Sequence, residues 1–333
     1  VTGHINDDLL QHVMDARNPA YGKEVPPPTL TPEQMRVVAE ARGRLRKPWY
    51  AISFTRRLAL TGGAAGIVAT VATVYFGASS PAYAGPGRLD MDTAEPATPA
   101  ASHLQDLIRA VRQQPDATVN GGTTYVHRQE WTADTIHPDG FVANDVKLWW
   151  HQDRSGKELQ TALPPQTPGS KTVQYLDALP SGSQTVPIMY GPGEFSDLLN
   201  GTPSADAGQL ESQLDKHQPR SNGPQAILRA LADVSRIHYL RVGQRVAVLT
   251  VLAGIPGLAW RGIVTDRAGR LCYAVSLDSG GAETGRTSDV LLISVAGQIC
   301  GFESIAVEPA PNSPVPPNSV VEYWLTLRLQ VSD

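Results

Sequence analysis

Cysteine, histidine and acidic side chains are the groups in this chain that could carry chemistry. Two cysteines occur, Cys272 and Cys300, both in the C-terminal half. With no Cys-x-x-Cys and no Cys/His cluster, a structural zinc site lacks its ligand set. Two arguments about a disulfide between them conflict. A lone pair of cysteines in an oxidising compartment usually bonds. If strands from Leu271 and from Ile299 flank a strand over Asp289–Val295, however, their backbones lie about 9.5 Å apart, beyond disulfide reach. Both outcomes stay open. The chain has eight histidines, scattered along its length. His127 and His151 fall on strands and could approach one another across a sheet, although strand histidines are more often surface residues than ligands. Asp145, Asp153 and Glu158 surround a hairpin, where solvated charges are ordinary. No GxSxG elbow, HExxH, P-loop or GxGxxG after a strand is present, and nothing supplies a nucleophile with its base. The expectation is a protein that is not an enzyme and takes no cofactor and no metal.

The elements that position these groups follow from composition. The chain has 333 residues, 41% of them hydrophobic, enough for a sizeable core and one to three domains. Its 27 prolines and 30 glycines favour turns, short strands and linkers over a helical bundle. Net charge is −4 and unevenly spread: residues 1–57 carry nine Lys/Arg against six Asp/Glu, and residues 79–333 carry 19 against 26. The acidic balance of the larger part excludes a nucleic-acid partner, which needs a basic patch or stripe.

From Leu58 to Gly87 no residue is charged. Leu58–Ala78 would span roughly 31 Å as a helix, the hydrocarbon thickness of a bilayer. A soluble core helix of that length should show a polar face, and this one has three Thr and a Tyr. Arg42, Arg44, Arg46, Lys47, Arg56 and Arg57 precede the span, so the positive-inside rule puts the N-terminus in the cytoplasm. Gly62 and Gly66 form a GxxxG pair through which two such helices could pack. The lipid bilayer is thus the first expected partner. A rival reading is export: Thr55–Leu60 resembles a twin-arginine signal, and Ala82-Tyr83-Ala84 a cleavage site. The long segment before the arginines argues for the anchor.

The chain therefore divides into a cytoplasmic segment (1–57), a transmembrane helix (58–78), a flexible linker (79–101) and an extracytoplasmic domain (102–333). In the first, Thr31 can cap a helix over Pro32–Arg46 whose thin apolar stripe suits either a cytoplasmic partner or a basic stop. Gly85–Ala101 is rich in Pro, Ala and acids and reads as a tether. A helix is expected over Ser102–Gln114, capped by Ser102. Strands follow at Thr123–Trp131 and Asp145–Asp153, then a turn at Asp153–Gly156. Trp149 and Trp150, being adjacent, must face opposite sides of their strand. Residues 164–205 read as loops. Two helical stripes, Ala226–Ile237 and Val242–Ala253, break near Tyr239–Gly243. More strands follow Gly257, and a half-buried strand over 319–332 alternates cleanly: Val321, Tyr323, Leu325, Leu327, Leu329 and Val331 share one side. The fold class is α+β, a curved antiparallel sheet with packed helices behind one transmembrane helix and a short helical cytoplasmic segment.

The order of features, with TTYVHRQEW, LWWHQDRSGKE, QAILRALADV and GLAWRGIVTDRAGRLCYAVSLDSGG, resembles an actinobacterial family of single-pass membrane proteins often encoded beside a sigma factor. The sheet crossed by helices also resembles the half-barrel of periplasmic lipoprotein carriers. The resemblance covers roughly residues 42–308 and implies a bacterial cell-membrane protein linked to sigma-factor regulation. No site residues carry over with it, and the segment at 309–319 with the strand after it departs from the pattern.

Two functions are in view. In the first, the outer domain senses a lipid, a peptide or a partner protein, and the cytoplasmic segment reports it. That version expects an apolar groove lined by the strands at 123–163 and 258–306. In the second, the domain is a structural or interaction protein of the cell envelope with a filled core and no pocket.

Overall fold

A computed structural model describes residues 85–91, 98–116, 122–133, 141–173, 179–199, 201–281, 285–311, 313 and 315–332. The expected span 58–78, the flanking Arg42, Arg44, Arg46, Lys47, Arg56 and Arg57, the Gly62/Gly66 pair and the cytoplasmic helix lie outside the described residues. Among the described residues no helix is long and apolar enough to cross a membrane.

Ten strands form one curved, unclosed antiparallel sheet: β1 (Thr98–Pro99), β2 (Thr123–Ala133), β3 (Phe141–His151), β4 (Gly156–Ala162), β5 (Thr185–Tyr190), β6 (Ala259–Thr265), β7 (Leu271–Gly281), β8 (Gly285–Ser294), β9 (Ile299–Glu308) and β10 (Ser319–Ser332). Helices α1 (Ala100–Arg112), α2 (Ala207–His217), α3 (Gln225–Ser235) and α4 (Val242–Ala253) complete it. The strand order is β1-β6-β7-β8-β9-β10-β2-β3-β4-β5, two meanders joined where β10 pairs with β2. β5 lies in the segment read as loop. It is an edge strand and carries Pro187, which an edge tolerates because proline donates no ladder hydrogen bond. α1 begins at Ala100 rather than at a Ser102 cap, because the Ala100 amide donates to Leu258 O at 3.0 Å.

Each face of the sheet is buried against its own core. On one face, Val275, Leu291, Ile293, Phe302 and Trp324 pack with α1, α3 and α4. On the other, Trp131, Phe141, Ala274, Leu292, Ile305 and Tyr323 pack with Leu89 and Val173 from the connecting segments.

β10 is an interior strand between β9 and β2, and its expected alternation breaks twice. One bulge falls between Val320 and Glu322, so Val320 is buried and Val321 is not. A second falls between Thr326 and Arg328. Tyr323 and Leu325 face the second core, whereas Leu329, opposite Val126, packs on the helix side. An extra residue shifts a strand's side chains to the other face.

The segment 85–91, read as tether, is docked on the domain. Gly169 N donates to Gly85 O at 3.0 Å and Gly87 N to Ser170 O at 2.9 Å. Arg267, almost fully buried, donates to Gly87 O and Glu303 Oε2, both at 2.9 Å, and lies over the Tyr323 ring at 4.4 Å. Burial pushes the Glu303 carboxyl up in pKa, and Arg267 offsets part of that rise. Composition marks Gly85–Met91 as linker because its glycines and proline say nothing of the arginine waiting for its carbonyls.

Candidate functional site

The pleat of β3 separates its two tryptophans as expected. Trp149 stays partly exposed and lies against Tyr125 with ring centroids 4.8 Å apart. Trp150 enters the helix side, where its Nε1 donates to Ile237 O at 2.9 Å. Its ring meets His238 edge-on at 5.1 Å and Phe195 at 5.4 Å. His238 lies in the connection between α3 and α4, and its Nε2 donates to Asp197 O at 2.8 Å. Burial pulls the His238 pKa below the ordinary histidine value, so at neutral pH the ring is uncharged.

Trp150 and His238 floor a cleft of about 530 Å³. Its walls are the ends of β2, β3 and β10 (Thr124, Gln152, Val331), the 202–205 loop, Asp116 and the start of α4. Helix packing holds those walls. Gln244 Oε1 accepts from Arg241 N at 2.8 Å while its Nε2 donates to Pro203 O at 2.7 Å, which ties the loop to α4. Asp116 Oδ1 accepts from Val242 N at 3.2 Å, satisfying one of the free amides of the α4 N-terminus. The volume falls in the range of small-molecule sites, roughly 300–1,000 Å³. An aromatic floor below threonine and glutamine side chains suits a polar ligand with at least one flat or apolar surface. The cleft takes Thr124, Trp150 and Gln152 from the region 123–163 and nothing from 258–306. Most apolar side chains of β7, β8 and β9 are buried in the two cores instead, while Ile263 of β6 and Leu271 of β7 stay exposed.

Beneath α3 lies an ionic network absent from the sequence reading. Arg229 pairs through its Nε and Nη2 with Asp289, which is fully buried and also accepts from Ser304 Oγ at 2.8 Å. Burial pulls the Arg229 pKa down, but Asp289, together with Glu322 and Asp233, raises it above the ordinary value. Arg236 reaches Glu130 at 3.6 Å, Arg128 also bonds Glu130, and Tyr190 OH donates to Glu158 at 3.3 Å. Burial and the neighbouring Glu158 push the Tyr190 phenol up. The signal was legible after the fact: Arg229, Asp233 and Arg236 recur at i, i+4 and i+7, one face of a helix.

Asp145 and Glu158, expected as solvated charges, are buried, and only Asp153 is exposed. Asp145 Oδ1 meets His127 Nε2 at 2.7 Å and accepts from Gln129 Nε2 at 3.2 Å. Asp153 caps the hairpin turn by accepting from Ser155 N and Oγ at 2.9 and 2.7 Å. His127 and His151 do not approach one another. The register sets His127 opposite Lys147 and His151 opposite Thr123, four residues or roughly 13 Å along the ladder. Cys272 and Cys300 are buried thiols with sulfurs 3.2 Å apart, although β8 does separate their strands as the sequence suggested.

The chain matches no family model, no curated protein and no solved structure.

Proposed function

We propose that the folded region is a binding module of the cell envelope that takes a peptide-sized polar ligand in the cleft over Trp150. The cleft is the observation that carries this reading: its floor is aromatic, its rim polar, and its walls are already tied together by Gln244 and Asp116. A preorganised site of this kind loses little ordering entropy on binding. The test is a thermal-shift screen of the full chain in detergent against a tripeptide library, with titration calorimetry of any hit. Thr202→Trp, which fills the cleft, should weaken a hit at least tenfold, and Gln152→Ala should weaken it less. A library without hits, or a hit that binds Thr202→Trp unchanged, refutes the reading.

In this proposal the 58–78 segment anchors the module, with Arg42 to Arg57 on the cytoplasmic side. Residues 1–41 then report ligand binding to a cytoplasmic partner in a sigma-factor pathway. Deleting residues 1–41 should abolish capture of that partner, and unchanged capture refutes the signalling part.

One observation favours a second reading, export with cleavage after Ala84. Gly85 is the first residue after the Ala82-Tyr83-Ala84 motif, and its carbonyl is already bonded into the fold. The mass of the chain isolated from cells separates the two: a chain beginning at Gly85 means cleavage, and one retaining residues 58–84 means an anchor.

A further inference from the structure

Cys272 and Cys300 stand apart from the cleft, and the sheet is shaped around them. Cys272 is the second residue of β7 and faces the core that holds Ala274 and Leu292. It pairs with Ser294 of β8. Between Leu292 and Ser294, Ile293 turns its side chain into the opposite core. Above the Ile293 backbone, therefore, no β8 side chain stands between β7 and β9. At this point β9 carries an extra residue: Ile299 pairs with Ile293 and Gly301 with Leu292, which leaves Cys300 as the bulge. A bulge re-aims its side chain. The Cys300 sulfur leans over β8, 3.5 Å from Leu292 O, and meets the Cys272 sulfur at 3.2 Å.

Asp266 completes the group, its Oδ2 lying 3.8 Å from the Cys272 sulfur. With two thiols and a carboxylate, the cluster has ligands for a metal ion. The carboxylate is already saturated, however. Its Oδ1 accepts from Ala268 N and Arg270 N at 2.9 Å, and its Oδ2 from Arg270 Nε at 2.8 Å. A cation would have to displace the guanidinium. A disulfide is uncharged and displaces nothing.

We propose that Cys272 and Cys300 are an oxidisable pair that closes into a disulfide strapping β7 to β9 across β8. The oxidant is another disulfide, such as glutathione disulfide or the active-site disulfide of an oxidoreductase. One cysteine thiolate attacks a sulfur of the oxidant, breaks its S–S bond and releases one thiolate. The second cysteine attacks the protein sulfur of the mixed disulfide and expels the other thiolate. Two cysteine thiols are oxidised, one disulfide is reduced to two thiols, and the cysteines' two protons end on the released sulfurs. Both sulfurs are buried, so exchange precedes closure of the sheet in folding and the finished bond is shielded from reductant.

Formation in the cell rests on the envelope location proposed above, so the test has two arms. In the first, full-length chain from its own membrane is denatured in an alkylating reagent without reductant and weighed. In the second, full-length chain made in a reducing cytosol is unfolded in urea, refolded in detergent with glutathione disulfide, and treated likewise. The expected product of both is two hydrogens lighter than the dithiol and unalkylated, with a Tm about 6–12 °C above that of the reduced protein. A bond in the second arm but not the first leaves the pair competent and overturns the oxidising location instead. Two alkylated cysteines in both arms overturn the proposal, and zinc retained by that dithiol protein identifies the cluster as a metal site. In the Cys272→Ser/Cys300→Ser variant the Tm should no longer depend on reductant; a persisting difference also overturns the proposal.

Discussion

Trp149 and Trp150 are identical neighbours with opposite surroundings, because the pleat sends one to each face of β3. Trp150 fills the junction of β3, Phe195 and His238, so Trp150→Ala leaves a cavity and should cost about 3–5 kcal/mol. Trp149→Ala removes a partly exposed stack on Tyr125, and the loss should be about 1 kcal/mol. Denaturant unfolding of a fragment starting at Gly85 reads both, and equal losses would contradict the burial described for Trp150. His238 supplies a pH dependence at the same place. Its pKa is lowered by burial in the folded state, so the unfolded chain binds the proton more readily. The stability it contributes is present above the unfolded value, about pH 6.5, and is lost as the pH falls from there toward the folded pKa. His238→Gln should therefore lose less Tm than the parent between pH 7 and pH 5. An identical loss would place the acid sensitivity elsewhere.

Among the elements, α3 illustrates how a helix can be legible in position and hidden in role. Its apolar stripe marks it clearly in the sequence, and Ala226, Ile227, Ala230, Leu231 and Val234 are all buried. That the polar residues beside the stripe are also covered depends on sheet carboxylates more than fifty residues away, such as Asp289. Asp289→Ala strands Arg229 in the core and should cost about 3–5 kcal/mol. Replacing both partners, as Arg229→Met with Asp289→Leu, should cost much less. Unfolding midpoints compare the two, and a larger loss for the double variant would show that the pair stabilises in its own right. β10 teaches a related lesson. Its sequence alternates over 14 residues, but pairing with β9 and β2 at once imposes two bulges that no single-strand pattern carries.

At the scale of the whole molecule, β10 joins the two meanders by pairing with β2, and the segment 85–91 is hydrogen-bonded onto the domain at Gly169 and Ser170. The docking depends on close backbone approach at Gly87, where an added Cβ would lie 2.2 Å from Gly169 O. Gly87→Ala should release the segment, costing about 1–3 kcal/mol. Limited trypsin digestion checks it, since Arg88 should be cut rapidly in the variant and slowly in the parent. Equal rates would contradict the docking.

Local pattern suffices for the α+β class, most strands and helices, the split of the two tryptophans and the turn at Asp153–Gly156. Each depends on residues within one period or one turn of each other, where alternation, helical spacing and turn chemistry act. The sequence also raises the chemistry of the cysteines without resolving it. Tertiary structure alone decided which acids are buried, that His127 and His151 stay apart, that the supposed tether is docked, and where a cleft opens. Those outcomes depend on register and on groups from distant segments, such as Arg267 finding Gly87 and Glu303. The two sulfurs show the division most clearly. Strand order put them beyond reach on backbone spacing, and one bulge with one inward-turned isoleucine brought them to 3.2 Å.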